Sequence, residues 1–224
     1  MIIKIKRQRT SDSEPYWQSF YYNGPEHTTV SAVLDALNHT DGLSDIDGNP
    51  APRISWECSC NQAMCGGCAM VINGVPKLAC STFADEVKGD CLSIEPLSKF
   101  PVISDLSVDR SIIYENLISV NAYLENTAKS DMRQHEQQYS VAKCLKCGLC
   151  LEVCPNYRFG SDFFGAVLAN ESYLIASQSA DKKPKIVQEY KKHFGAGCSK
   201  ALSCRSVCPV GIETLTSILR MNRK

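Results

Sequence analysis

The chain has 224 residues, 24 basic side chains against 24 acidic ones, 44% hydrophobic residues and thirteen cysteines. No run approaches the ~20 apolar residues needed to span a bilayer, no small-residue cleavage site follows the short apolar start of MIIKIKRQRTSDSEPYW, so no signal peptide is expected, and zero net charge gives no electrostatic case for nucleic acid. A reducing compartment is expected, where closely spaced cysteines bind metal more often than they form disulfides.

In chain order, residues 2–5 alternate apolar and basic, residues 17–22 are aromatic and β-prone, and TSDSEP between them supplies turn chemistry, which predicts a hairpin. Thr28 or Thr29 caps a predicted helix carrying Val30, Val33, Leu34 and Leu37, with Asp41-Gly42 as its stop signal. Residues 69–72, Asn73-Gly74 and residues 75–79 predict a second hairpin, and residues 91–94 a last strand. EPLSKFPVISDLSVD carries two prolines and no helical period, the mark of a connector. From Arg110 the period becomes helical: Ile112, Ile113, Leu117, Val120 and Leu124, then a segment capped by Ser161 with Phe164, Val167, Leu168 and Leu174, then one begun by Pro209 with Ile212, Leu215, Ile218 and Leu219. The expected units are residues 1–97, a connector at 98–109 and a helical domain at 110–224.

The first cysteine group lies in ECSCNQAMCGGCAMVINGVPKLAC. Cys60, Cys65 and Cys68 form C-x4-C-x2-C and Cys80 follows, the plant-type 2Fe–2S spacing. Three thiolates from one tight loop converge on a small cluster, and Gly66 and Gly67 let the backbone curl and aim N–H groups at the sulfurs. Structural zinc is the competing occupant, poorly served by the x4 spacing and the lack of histidines. Cys58 is an alternative first ligand, but only Cys60 keeps the spacing; Cys91 reads as a core residue of a strand.

The second group, CLKCGLCLEVCP, places Cys144, Cys147, Cys150, Cys154 and Pro155 in C-x2-C-x2-C-x3-C-P, a run whose fourth cysteine ligates the other cluster in two-cluster ferredoxins. CSKALSCRSVCP follows with Cys198, Cys204, Cys208 and Pro209, and with Ala201 where a cysteine belongs. Cross-ligation assigns Cys144, Cys147, Cys150 and Cys208 to a 4Fe–4S cluster. Cys154, Cys198 and Cys204 remain, three thiolates that suit 3Fe–4S; a 4Fe–4S cluster with a non-cysteine fourth ligand is the alternative.

No G-x-G-x-x-G follows a strand, and the GAG at 195–197 lacks its third glycine. His27, His39, His135 and His193 show no ligand spacing and are expected at the surface or at helix ends. The chain therefore offers electron carriers and no catalytic residues. Lysines 182, 183, 185, 191 and 192 form a basic run, either a solvated helix face or a contact with anionic lipid or an anchor.

With this order of motifs, the chain resembles the iron–sulfur subunits of succinate dehydrogenase and fumarate reductase over nearly its whole length. The likeness runs through IKRQRTSDSEPYWQSF, VLDALN, CNQAMCGGCAMVINGVPKLAC, EPLSKFPVISDLSVDRS and both cysteine groups up to CPVGIETLTSIL. It implies an α+β protein: an N-terminal β-grasp plant-type ferredoxin domain and a C-terminal all-helical bacterial-ferredoxin-like domain. It also implies 2Fe–2S, 4Fe–4S and 3Fe–4S clusters on the cysteines assigned above, an FAD-containing flavoprotein partner, a membrane anchor holding quinone, and a peripheral place on the cytoplasmic side of the inner membrane.

Four positions depart from the family's habit. Asn61 and Gly67 stand where arginine and serine are common, and Phe159 and Ser199 where ubiquinone-reducing members often carry tryptophan and histidine, which weakens the case for ubiquinone and leaves menaquinone or an unusual anchor. Tyr157, Arg158, Phe159, Ser199 and Lys200 flank the three-iron ligands and are candidates for a quinone-facing surface. The competing functions are the related subunit of a thiol- or heterodisulfide-coupled fumarate reductase and a non-enzymatic redox or iron sensor or zinc module.

Overall fold

A computed structural model describes residues 1–86, 91–129 and 132–223. The chain forms two compact units, Met1–Asp109 and Arg110–Lys224.

The first unit is a five-stranded mixed sheet with one helix. Strands β1 (Ile2–Arg7) and β2 (Tyr16–Tyr21) pair antiparallel with Ile2 opposite Tyr21, as the alternating start predicts. Helix α1 (Val30–Asn38) follows; of the two candidate caps Thr29 is the one used, its Oγ1 accepting from Ala32 N at 3.2 Å. The helix stops at Asn38, ahead of the Asp41-Gly42 turn, and its buried side is Val30, Ser31, Val33, Leu34 and Leu37. Strands β3 (Ala69–Ile72) and β4 (Val75–Leu78) form the second hairpin, with Asn73 and Gly74 at φ 43 and 75, the doubly positive pair of a type I′ turn. Strand β5 (Cys91–Glu95) lies parallel to β1 and antiparallel to β3, giving the order β2-β1-β5-β3-β4. Ile3, Ile5, Phe20, Ile72, Leu92 and Ile94 fill the core beside α1.

The stretch expected as a connector folds back on this unit. Strands β6 (Val102–Ser104) and β7 (Ser107–Val108) make a small hairpin, and Leu97, Phe100, Leu106 and Val108 are buried. Asp105 at its turn meets Arg7, both out of solvent, with Arg7 Nε 2.9 Å from Asp105 Oδ1. Arg7 also donates to Gln18 Oε1 and to the carbonyls of Pro52 and Arg53, while Asp105 accepts from the N–H groups of Gln8 and Ser55. Residue 105 is far from this strand in sequence and carries no periodic signal, so the pairing was invisible there.

The second unit is helical: α2 (Ser111–Ser119), α3 (His135–Ala142), α4 (Leu149–Glu152), α5 (Gly165–Gln178), α6 (Lys183–Tyr190), α7 (Ser203–Ser206) and α8 (Thr214–Asn222), with a π turn at Lys191–Gly195 after α6. Its core is drawn from Val141, Leu149, Leu151, Val167, Leu168, Ile186, Phe194, Ile212 and Ile218. Two helix starts differ from expectation. Ser161 does not cap α5, whose N-cap is Phe164; its hydroxyl instead donates to Arg158 O at 2.8 Å within the preceding turn. Pro209 lies in a turn ahead of α8, which begins at Thr214.

His193 lies at a helix end, one of its two expected places, and Lys182 does not stay on the solvated run. His193 is buried in the π turn, stacked on Phe164 at 4.2 Å with Nδ1 2.9 Å from Asp162 O. Lys182 leaves the basic run to pair with Glu125 at 2.9 Å and donate to Tyr123 O. Lys183, Lys185, Lys191 and Lys192 stay exposed. No helix among the described residues is long and apolar enough to cross a membrane.

Candidate metal centres

All thirteen cysteines are described and none is in a disulfide. Eleven of them gather in three places.

In the first unit the gathering is a loop between α1 and β3. The chain entering it is clamped twice: Asn38 at the end of α1 takes both backbone groups of Ile54, accepting from its N at 2.7 Å and donating to its O at 2.8 Å, and the Arg7–Asp105 pair holds Pro52, Arg53 and Ser55. The loop leaves directly into β3 after Cys68. Asn61, Ala63 and Gly66 adopt φ 51, 55 and 76, the left-handed turns that fold it round. The curl turns peptide N–H groups onto sulfur: Gln62 and Met64 donate to Cys60 at 3.4 and 3.3 Å, Gly67 to Cys65 at 3.4 Å, Ala63 to Cys80 at 3.3 Å. Cys80 comes from a short 3-10 turn, Ala79–Ser81, just past β4, and its N–H reaches Cys68 Sγ at 3.5 Å.

These donors supply what a negatively charged sulfur core needs and what bare thiols would not justify. Hydrogen bonds from Gln62 and Met64 hold Cys60 down to about 7, whereas burial pushes Cys68 up to about 12. The buried corner therefore ionises only when metal takes the proton's place. Gly66 is needed for its φ. Gly67 is not: its φ is ordinary, and an added Cβ would lie 3.6 Å from Cys65 Sγ, a normal contact. A Cβ is tolerated there, so Gly67 serves the curl through its N–H on Cys65 and not through a conformation that only glycine reaches.

The second unit holds the other two gatherings, and its backbone repeats. Around Cys147, Lys146 and Gly148 take φ 52 and 86, and α4 follows; around Ala201, Lys200 and Leu202 take φ 61 and 58, and α7 follows. Matching hydrogen bonds close both turns, Leu151 N to Gly148 O and Arg205 N to Leu202 O, then Cys154 N to Leu151 O and Cys208 N to Arg205 O. Each residue of one turn has its counterpart at a constant offset in the other, so Cys144, Cys147, Cys150 and Cys154 correspond to Cys198, Ala201, Cys204 and Cys208.

The thiols cross over between the repeats. Cys208 lies in electrostatic reach of Cys144, Cys147 and Cys150, and Cys204 in reach of Cys154 and Cys198. A pocket is lined by Cys144, Cys147, Cys150, Cys204 and Cys208. Burial raises Cys144 and Cys204, raises Cys147 to about 11 and holds Cys150 well above the usual thiol range. Ile212 N donates to Cys208 Sγ at 3.3 Å. Among the described residues no trio of Cys, His, Asp or Glu closes on a single ion; a multi-iron core spreads its thiolates over separate irons, so the looser grouping suits it.

An ion pair borders the first of these sets. Lys146, between Cys144 and Cys147, contacts Glu171 of α5, and both side chains are largely buried. Burial works against the Lys146 ammonium, but Glu171 and the Cys144 thiolate outweigh it and the group is raised. An added electron is attracted to the lysine and repelled by the glutamate. Glu171→Gln is therefore expected to raise, and Lys146→Gln to lower, the midpoint potential of the adjacent centre, each by tens of millivolts by a Coulomb estimate. A redox titration followed by EPR reads both, and shifts of the same sign would mean the pair acts through packing alone.

Of the residues offered for a quinone-facing surface, Tyr157 is only 2% exposed and is corrected to a core position beside Cys150, where burial raises its hydroxyl to about 12. Arg158, Phe159, Ser199 and Lys200 are exposed. Leu202 joins them with its apolar side chain outward, a residue that sequence pattern did not single out. Cys91, at the start of β5, is half-buried and apart from all three groups.

A family model described as a 2Fe-2S iron-sulfur cluster binding domain matches residues 2–115, and one described as a 4Fe-4S dicluster domain matches residues 140–212. The chain is 30% identical to the succinate dehydrogenase iron-sulfur subunit of Bacillus subtilis, over 98% of this chain and 90% of that protein. It is 31% identical to the fumarate reductase iron-sulfur subunit of Escherichia coli O157:H7, over 92% and 85%. Among solved structures, a chain of the Mycobacterium smegmatis Sdh1 complex in the apo form matches with a TM-score of 0.75 at 22% identity, covering 98% of this chain and 94% of that one, a likeness of fold.

Proposed function

The chain belongs to the iron–sulfur subunits of succinate dehydrogenase and fumarate reductase, and from that premise we propose that Cys60, Cys65, Cys68 and Cys80 hold a 2Fe–2S cluster, Cys144, Cys147, Cys150 and Cys208 a 4Fe–4S cluster, and Cys154, Cys198 and Cys204 a 3Fe–4S cluster. Bound there, the clusters supply one-electron carriers between an FAD-containing flavoprotein subunit that handles succinate and fumarate and a quinone held by a membrane anchor. The protein's own part is to ionise and fix eleven thiols. Peptide N–H groups offset charge at Cys60, Cys65, Cys80 and Cys208, and buried walls keep water from Cys68, Cys147 and Cys150.

The observation that carries this reading is the backbone repeat in which Ala201 occupies the place of Cys147. An inert methyl at that corner leaves three thiolates, which is what a three-iron core asks for. Arg158, Phe159, Ser199, Lys200 and Leu202, exposed near those three ligands, are the proposed face toward the anchor, with the chain peripheral on the cytoplasmic side of the membrane. Phe159 and Ser199 in place of tryptophan and histidine favour menaquinone.

Purification of the assembly through a tag on this chain tests the reading. A flavoprotein and a membrane-embedded subunit are expected to co-purify, with turnover linking succinate or fumarate to a menaquinone analogue and about nine irons per copy of this chain. Fumarate reduction driven by a dithiol but not by quinol would move the chain to the thiol-coupled class; zinc in place of iron would end the cluster assignment.

A further inference from the structure

Two cysteines stand outside the three sets, and one of them is beside a cluster. Cys58 lies two residues before Cys60 at the mouth of the loop, exposed, in a stretch with no helix or strand. Its thiol is in electrostatic reach of Cys60, Cys65 and Cys80 and also of Cys68, all four ligands of the two-iron site. The two neighbours are held differently. The sulfur of Cys60 is fixed by two peptide N–H groups of the curled loop. The sulfur of Cys58 accepts from the peptide N–H of Asn61 and its thiol donates to the Asn61 side chain, at Oδ1, at 2.9 Å; that side-chain acceptor can rotate away without disturbing the backbone. Arginine, common in the family at the position of Asn61, offers no acceptor.

We propose that Cys58 is a reserve ligand of the 2Fe–2S cluster, taking over the iron held by Cys60 when that bond is lost. The exchange balances by itself. The Cys60 sulfur–iron bond breaks, a Cys58 sulfur–iron bond forms, and the proton leaving the Cys58 thiol is matched by one taken up at Cys60, with no change in oxidation state. The short C-x-C spacing and the unstructured stretch before Cys60 allow the loop to slide by two residues while Asn38 and Arg7 keep hold upstream.

The proposal rests on the ligand reading above, and four variants of the full chain separate the two. Iron content, visible circular dichroism and EPR of the reduced protein report the two-iron centre, while the signals of the helical domain's clusters report folding. Cys58→Ala is expected to leave the two-iron spectrum unchanged. Cys60→Ala is expected to keep most of the two-iron signal with shifted g-values, and the double variant Cys58→Ala/Cys60→Ala to lose it. Loss in Cys60→Ala as complete as in the double variant, with Cys58→Ala intact, overturns the reserve role and leaves the ligand reading standing. Loss in Cys58→Ala with an unshifted spectrum in Cys60→Ala makes Cys58 the primary ligand and overturns both, as does an unchanged two-iron signal in Cys68→Ala.

Discussion

Replacing Arg7 by methionine is expected to destabilise the N-terminal unit by about 3–5 kcal/mol, the usual cost of removing one partner from a buried ion pair. The guanidinium is wholly buried and spends its donors on Gln18, Pro52 and Arg53 while contacting Asp105. Without it, Asp105 stays in a dry site with only the N–H groups of Gln8 and Ser55 to hold its charge, and the carbonyls of Pro52 and Arg53 lose their donor. Denaturant titration followed through the two-iron circular dichroism reads the loss, with the helical domain's clusters as an internal control. Arg7→Met/Asp105→Leu should recover the part due to the stranded charge but not the whole, because the carbonyls of Pro52 and Arg53 and the N–H groups of Gln8 and Ser55 still lack partners. A single substitution costing less than about 1 kcal/mol, the level of an exposed pair, would show that the pair is not desolvated as it stands.

Replacing Ala201 by cysteine should convert the three-iron centre to a four-iron one. The turn around Ala201 has the backbone of the turn around Cys147, flanked by left-handed residues on both sides, so a thiol there points as the Cys147 thiol does. Iron should rise from about nine to about ten per chain, and the EPR signal of the oxidised three-iron cluster should vanish. Ala201→Ser is the control for bulk. Persistence of the three-iron signal in the cysteine variant would break the correspondence between the two turns. Ala201 is more exposed than Cys147, so the added ligand would be the site's most solvent-accessible corner.

The candidate cluster cysteines stood out in sequence because metal chemistry writes itself as spacing: C-x4-C-x2-C and C-x2-C-x2-C-x3-C-P leave few other readings. The sheet hairpins were legible for a similar reason, Asn73-Gly74 fixing one turn and alternation fixing the strands. What stayed hidden depends on contacts distant in sequence. Nothing near Asp105 announces Arg7, so residues 98–109 read as a bare connector. Tyr157 and His193 have side chains common at surfaces, and only the packing of α5 and the π turn shows them inside. Ser161 and Pro209 are good helix starters by type, but each closes a turn ahead of its helix.

The double clamp before the two-iron loop bears on how readily charge moves. Ile54 is held by Asn38 and its neighbours by Arg7, and the peptide dipoles facing Cys60, Cys65 and Cys80 are fixed by backbone turns. When an electron arrives or leaves, the surroundings have already been oriented, and little atomic rearrangement has to accompany the event. Loosening the clamp should therefore slow electron exchange even where the potential is unchanged, because the cost falls on reorganisation and not on driving force.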